Sequence, residues 1–276
     1  MPHNHQKKAA VINDFSSFGR CSIAVALPIL SAMKIQCCPL PTALFSNHTG
    51  FESFYWTDFT AHMTSYADEW EKLGLKFEAV ATGFLGSVDQ INIVKDFLCR
   101  FKRAGTVVVV DPVMGDYGKL YPTYSMELAR AMGELVEYAD IMTPNLTELC
   151  VLTNTPYQEK FSEEVLEKMC AQLSRRGPEK VVVSGLVLDE KTLGNFVYER
   201  GKKPLMLTRE KIGPYRSGTG DVFASIITGC AVRGESFVDS VQKAMDYIAK
   251  TIRRTVELDI PTTDGICIEE FLTDLA

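Results

Sequence analysis

Thr106-Val107-Val108-Val109-Val110 runs directly into Asp111-Pro112-Val113-Met114-Gly115-Asp116. The first five residues carry no polar break. Four successive valines read as a strand buried on both faces, which is the mark of a parallel sheet rather than of an exposed hairpin. Acidic residues and a glycine turn begin where the apolar run stops. The same grammar recurs outward in both directions. Ala9–Ile12 leads to Asn13-Asp14-Phe15-Ser16-Ser17-Phe18-Gly19, Pro39–Phe45 to Ser46-Asn47-His48-Thr49-Gly50, and Phe77–Thr82 to Gly83-Phe84-Leu85-Gly86. Further on, Ile141-Met142 leads to Thr143-Pro144-Asn145-Leu146-Thr147-Glu148, and Lys180–Val183 to Ser184-Gly185. Stretches of helical length lie between or after them: Ser22–Met33, Ser87–Arg103, Glu127–Tyr138, Asn145–Leu152, Glu163–Arg175, Thr219–Arg233 and Phe237–Arg254. Asn195–Glu199 and Pro204–Arg209 alternate like a hairpin at a sheet edge. Strand–helix alternation predicts an α/β fold with a central, mostly parallel sheet flanked by helices on both faces. The chain has 276 residues and shows no linker, repeat or low-complexity tract, which predicts a single domain over 1–276. In such sheets ligands bind beyond the carboxyl ends of the strands, where the polar residues quoted above collect.

Composition narrows the function. Hydrophobic residues make up 46% and charged residues 23%, as in globular domains, and 19 glycines with 12 prolines are too few for a linker protein. With 29 basic against 35 acidic residues the net charge is −6, so no nucleic-acid partner is expected. An anionic substrate would need local help from lysine, a metal ion or a helix N-terminus. The longest apolar stretch, Ile23–Met33, contains Pro28 and falls short of a membrane span. Met1–Lys8 is polar, unlike an export leader. The cysteines at 21, 37, 38, 99, 150, 170, 230 and 267 form no C-x-x-C pair and read as reduced, mostly buried thiols, the Cys37-Cys38 pair as core. A cytoplasmic protein without a membrane partner is the expectation.

The sharpest motif is Ser217-Gly218-Thr219-Gly220-Asp221 at the head of the apolar helix Val222–Val232. Glycines before a helix let backbone N–H groups and the positive dipole end approach an anion. Asp221 there reads either as a cap or as a base beside an anion hole, able to take a hydroxyl proton while the N–H groups hold a transferring phosphoryl. Asn145-x-x-Glu148 after Pro144 is ordinary capping grammar but would also place Glu148 near a magnesium ion through water. Asp111 and Asp116 flank a glycine turn and could organise a metal–phosphate cluster. His48 shares its loop with other donors at the ligand end. Phe51–Tyr66 reads as a helix face, with a flap or dimer contact as alternatives. The sequence holds no P-loop, no third glycine of a dinucleotide fingerprint, no H-E-x-x-H and no G-x-S-x-G elbow.

Together these residues resemble a family. Gly218-Thr219-Gly220-Asp221 looks like the signature of the ribokinase-like superfamily. Ser46–Gly50, Asp111–Asp116 and Thr143-Pro144-Asn145-x-x-Glu148 look like pyridoxal (vitamin B6) kinase, in the right order over roughly residues 8–255. The resemblance implies a ribokinase-like fold and ATP-dependent phosphorylation of the 5′-hydroxyl of pyridoxal, pyridoxine or pyridoxamine. It also implies magnesium, often a monovalent cation such as K+, and a homodimer. By motif, Asp221 would be the base and Gly218, Thr219 and Gly220 the anion hole. Asp111, Asp116, Asn145, Glu148 and Ser184 would serve ATP, with Asp111 and Glu148 also serving the metal. Ser16, His48, Thr49, Phe84 and Tyr121 would line the vitamer site. The first loop departs from the Gln-Ser-His opening common in pyridoxal kinases, and its Asp14 is similar to hydroxymethylpyrimidine kinases. A hydroxymethylpyrimidine kinase is therefore the second reading, against which the Ser46–Gly50 loop speaks. A catalytically silent nucleotide or vitamer sensor is the third, against which Asp221 speaks. Water exclusion during transfer needs a lid, for which Gly50–Tyr66 and Gly213–Ser217 are the candidates.

Overall fold

Val107–Val110 pairs in parallel with Ala79–Thr82 on one side and Ile141–Met142 on the other. Val108 and Val110 enter one core and Val109 the opposite one, so the valine run needs no polar face. The computed structural model describes residues 3–121 and 123–276. In chain order its elements are β1 (Lys8–Ser16), α1 (Ser22–Ala32), β2 (Gln36–Phe45), β3 (Trp56–Asp58), α2 (Thr60–Lys72), β4 (Ala79–Thr82), α3 (Val88–Phe101) and β5 (Val107–Val110). A small ribbon of β6 (Gly115–Asp116) and β7 (Lys119–Leu120) follows, then α4 (Met126–Met132), β8 (Ile141–Met142), α5 (Leu146–Thr153) and α6 (Glu163–Ser174). The chain ends with β9 (Lys180–Val187), β10 (Thr192–Glu199), β11 (Leu205–Glu210), α7 (Thr219–Arg233) and α8 (Phe237–Glu257), followed by short 3-10 turns.

Among the described residues the main sheet runs β11-β10-β9-β8-β5-β4-β1-β2-β3. The six strands from β9 to β2 are mutually parallel, and antiparallel strands finish both edges. Met63 of α2, Phe97 of α3, Leu128 of α4, Leu149 of α5 and Leu166 of α6 fill one core. Ile29 of α1, Ile226 of α7 and Val241 of α8 fill the other. The sequence-predicted doubly covered parallel sheet is thus the fold. The chain leaves β1 toward β2 on one side and returns to pair β4 against the other side of β1. The strand order reverses there, and a crevice opens beyond the carboxyl ends of β1 and β4.

Four local readings change. Glu127–Tyr138 is not one helix: α4 stops at Met132 and Gly133–Glu137 is a 3-10 turn, since glycine weakens the α-helical continuation. Phe51–Tyr66 is not one helix face either. Trp56–Asp58 pairs antiparallel with Ala43–Phe45 at the sheet edge. The Asp58 carboxylate then accepts the Thr60 N–H at 2.7 Å and turns the chain into α2. Cys37 and Cys38 are half-buried on β2 rather than core, and Cys99 is exposed; the other five are buried, and all eight are free thiols. The first strand also runs past Ile12 to Ser16, with a register shift against β2 between Asn13 and Phe15. An irregularity of this kind re-aims side chains; here Asn13 and Asp14 are both buried. Among the described residues no helix is long and apolar enough to cross a membrane.

Candidate active site

The N-terminus of α7 stands over the crevice between β1 and β4. Gly218 is its N-cap at φ +79°, and a Cβ there would run into the Arg20 carbonyl oxygen and come within 3.1 Å of the Cys21 Cα. Only glycine fits, so this helix start carries no capping side chain. The leading N–H groups are left for a ligand. Gly220 is exposed, and open space lies where its Cβ would be.

Asp221, the third residue of α7, accepts a hydrogen bond from Asn13 Nδ2 at 3.0 Å, and the Ser22 backbone N–H lies close enough to favour its ionised form. The Asn13 amide is fixed in turn, because its Oδ1 accepts the backbone N–H groups of Asp14 (2.9 Å) and Phe84 (2.8 Å). With both N–H donors on Oδ1, Nδ2 must face the Asp221 carboxylate. A Cβ on Gly83 would overlap the Asn13 carboxamide, so this strand end carries glycine. Burial raises the Asp221 carboxyl above the usual carboxylate range, while the Ser22 N–H and the Asn13 bond oppose the rise. Asp14 lies behind it, accepting the hydroxyls of Ser22 (2.6 Å) and Ser16 (2.8 Å). Burial pushes Asp14 up to about 6, and the Asp221 charge adds to the rise.

The acidic loop after β5 and the N-terminus of α5 form the adjoining arm. Asp111 is buried and accepts the Thr143 hydroxyl at 3.0 Å. Asn145 and Glu148 form a capping box on α5: Asn145 Oδ1 accepts the Glu148 N–H (3.0 Å), and Glu148 Oε2 accepts the Asn145 N–H (2.8 Å). Glu148 Oε1 accepts the Met114 N–H at 3.1 Å, and Asn145 Nδ2 donates to the Gly115 carbonyl at 2.8 Å. Ser184 donates its N–H to the Pro144 carbonyl at 2.9 Å, which sets it beside Asn145. Asp116 sits in the β6–β7 ribbon and accepts the Tyr117 N–H at 2.8 Å. Burial raises Asp111 and Glu148, and their mutual proximity adds to the rise of Glu148. Among the described residues, none of Asp14, Asp111, Asp116, Glu148 and Asp221 has an ion-pair partner.

The residues expected at the vitamer end lie in different settings. Phe84 joins the base through its N–H on Asn13 and packs edge-on against Phe45 at 6.1 Å. Ser16 is buried, with its hydroxyl spent on Asp14. His48 accepts the Gly50 N–H at Nδ1 (3.0 Å), so Nε2 carries the proton toward the Thr263 carbonyl (2.7 Å). Both ring nitrogens are thereby engaged with backbone. Thr49 is exposed in that loop. Tyr121 is half-buried, with its ring hydroxyl near Tyr215 from the segment before Ser217. Tyr215 in turn stands edge-on to Tyr117 at 6.2 Å. Asn13, Ser22 and Thr143 are contacts that motif reading did not assign. The sequence places Asn13 just past a strand that ends at Ile12, whereas it lies inside β1 at the irregular register that aims it at Asp221.

A doubly wound sheet with a glycine-led helix and a hydrogen-bonded aspartate at its switch point is the arrangement that the resemblance to ribokinase-like kinases leads one to expect. The comparisons with known proteins agree. A family model described as phosphomethylpyrimidine kinase matches residues 29–263. A pyridoxal kinase from Arabidopsis thaliana is 31% identical over 232 residues, covering 79% of this chain and 72% of its own length. A Bacteroides thetaiotaomicron protein described as a phosphomethylpyrimidine kinase, in a crystal form with pyridoxal, superposes with a TM-score of 0.94 at 39% identity over 98% of this chain and 96% of its own. Pyridoxal kinase from Lactobacillus plantarum gives a TM-score of 0.89 at 25% identity over 98% and 96%. The chain belongs to the pyridoxal kinase family of ribokinase-like enzymes.

Proposed function

We infer that this chain transfers the γ-phosphoryl group of ATP to the 5′-hydroxyl of a B6 vitamer (pyridoxal, pyridoxine or pyridoxamine), releasing ADP and the 5′-phosphate. The observation that carries the reading is the Asn13–Asp221 bond beside the uncapped start of α7. Asp221 takes the proton of the attacking hydroxyl, and burial raises its affinity for that proton. The N–H groups around Gly218, Thr219 and Gly220 hold the charge of the moving phosphoryl. Phe84 lies on the vitamer side of Asn13, with Ser16, His48, Thr49 and Tyr121 around that end. On the geometry given, Ser16 and His48 act through Asp14 and the loop backbone. Asp111, Asp116, Asn145, Glu148 and Ser184 line the nucleotide arm.

Magnesium fits that arm. Asp111 and Glu148 are buried carboxylates without a basic partner, and their oxygens are hard donors. Among the described residues no three such side chains converge into a full cage. A small cation held by one or two carboxylates and phosphate oxygens needs no more. Asp111 and Glu148 would hold it, Glu148 through water, and it would neutralise phosphate charge. A monovalent cation such as K+ remains part of the reading without assigned residues, as does a cytoplasmic location. The single domain over 1–276 is read the same way.

The second reading, a hydroxymethylpyrimidine kinase, is favoured by the description of the matching family model and by Asp14. Steady-state kinetics on the three vitamers and hydroxymethylpyrimidine separate the two. The highest kcat/KM on a vitamer is the expected result; a clear preference for the pyrimidine moves the chain to the second reading.

A homodimer completes the proposal. Phe54, Tyr55 and Trp56 are exposed at the β3 edge of the sheet, where a bare strand invites pairing. Sedimentation at micromolar concentration should give a dimer, and a fully active monomer would leave this segment as a lid.

A further inference from the structure

A cavity of about 20 Å³ lies directly beneath Asp221, between the ends of β1 and β4 and helices α1 and α7. Val11, Ala26, Leu30 and Ala81 give it apolar lining, and Asn13, Thr82, Asp111, Asp221, Ser225 and Thr228 give it polar lining. Two of these polar groups are already committed. Ser225 donates its hydroxyl to the Asp221 carbonyl at 2.6 Å, and Thr228 donates to the Ala224 carbonyl at 2.8 Å. Thr82 is different. It is the last residue of β4, only 4% exposed, and its hydroxyl is buried with no protein partner within reach among the described residues. A buried hydroxyl left unpaired is destabilising. Asn13 uses one amide hydrogen on Asp221, which leaves the second uncommitted.

The volume matches one water molecule, which needs two to four polar partners. The partners here have complementary signs: the Thr82 hydroxyl and the second Asn13 N–H can donate, while the Asp111 and Asp221 carboxylates accept. We propose that this cavity is a built site for a single structural water, and that Thr82 is a positioning residue which orients the Asp221 carboxylate through it. The water donates one hydrogen to each carboxylate and accepts from Thr82 and Asn13. It thereby ties the aspartate of the anion-hole helix to the aspartate of the nucleotide arm. Asn13 fixes Asp221 from the side and Thr82 from below. No motif reading assigns Thr82, because its role arises only where β4 meets the switch point.

The catalytic part of this inference rests on Asp221 being the base; the water site itself does not. Two measurements test it. A crystal structure at about 1.5 Å resolution, grown with rubidium in place of potassium, should show a water within roughly 2.6–3.2 Å of Thr82 Oγ1 and of both carboxylates. A dry cavity overturns the proposal, and so does an anomalous rubidium peak there. Thr82→Val keeps the shape and removes the hydroxyl. It should lower kcat about tenfold by loosening the base, leave both KM values unchanged, and be rescued by Thr82→Ser. If Thr82→Val instead turns over like the parent, and is stabilised by losing an unpaired hydroxyl, Thr82 positions nothing. Should Thr82→Val fail to fold, the crystallographic arm still decides. Full turnover in Asp221→Asn would remove the base reading while leaving the water in place.

Discussion

Helices α5 and α7 both begin at the ligand edge of the sheet, and both carry an acid at their third residue. At α5 the N-cap is Asn145, and Glu148 closes a reciprocal capping box while also taking the Met114 N–H. At α7 the N-cap is Gly218, with no side chain to offer, and Asp221 is held by Asn13 instead. The acid of α5 is spent on its own helix and on the neighbouring loop. The acid of α7 is held by another element and stands beside open N–H groups. The two sequences, Asn145-x-x-Glu148 and Gly218-x-x-Asp221, differ most consequentially at the cap. The glycine there, required by the approach of the Arg20 carbonyl, leaves the start of α7 without the side-chain cap that closes α5.

Asp221→Asn breaks the comparison hardest. Asn keeps the shape but cannot take the proton, a role worth roughly 10²–10⁴ in rate. We expect most of kcat to vanish while melting temperature and binding of ATP and vitamer stay near normal. Melting curves beside steady-state kinetics on one preparation check this, and near-parent turnover in a folded variant contradicts it. Gly218→Ala should come next. A left-handed non-glycine residue costs on the order of 1–3 kcal/mol, and the clash with Arg20 adds to it. Denaturant unfolding should show that loss together with weakened ATP binding, whereas a stability equal to the parent's would mean the turn relaxes freely.

Much of this was legible in the sequence. The buried valine strand and the repeated strand-then-polar pattern define the parallel sheet, because a strand covered on both faces has no polar positions to hide. The Gly218–Asp221 and Asn145–Glu148 motifs mark helix starts, because capping is local chemistry. The boundaries failed where tertiary contact decides. Trp56–Asp58 becomes an edge strand because β2 offers it a partner, and α4 gives way at Gly133. The least legible part is what holds Asp221: Asn13 reaches it across 208 positions. Nothing in the local pattern of Ala9–Ser17 distinguishes it from Ser16, whose hydroxyl turns to Asp14 instead.

The central claim is that Asp221 does the chemistry while Glu148 serves structure and metal. A magnesium titration of kcat on Glu148→Gln and Asp221→Asn, run in parallel, tests it most directly. Glu148→Gln should need about tenfold or more magnesium for half-maximal rate, keep its vitamer affinity, and recover most of its turnover at saturation. Asp221→Asn should stay slow at every magnesium concentration. A Glu148→Gln titration that matches the parent would reduce Glu148 to a helix cap, and recovery of Asp221→Asn by magnesium would contradict the account.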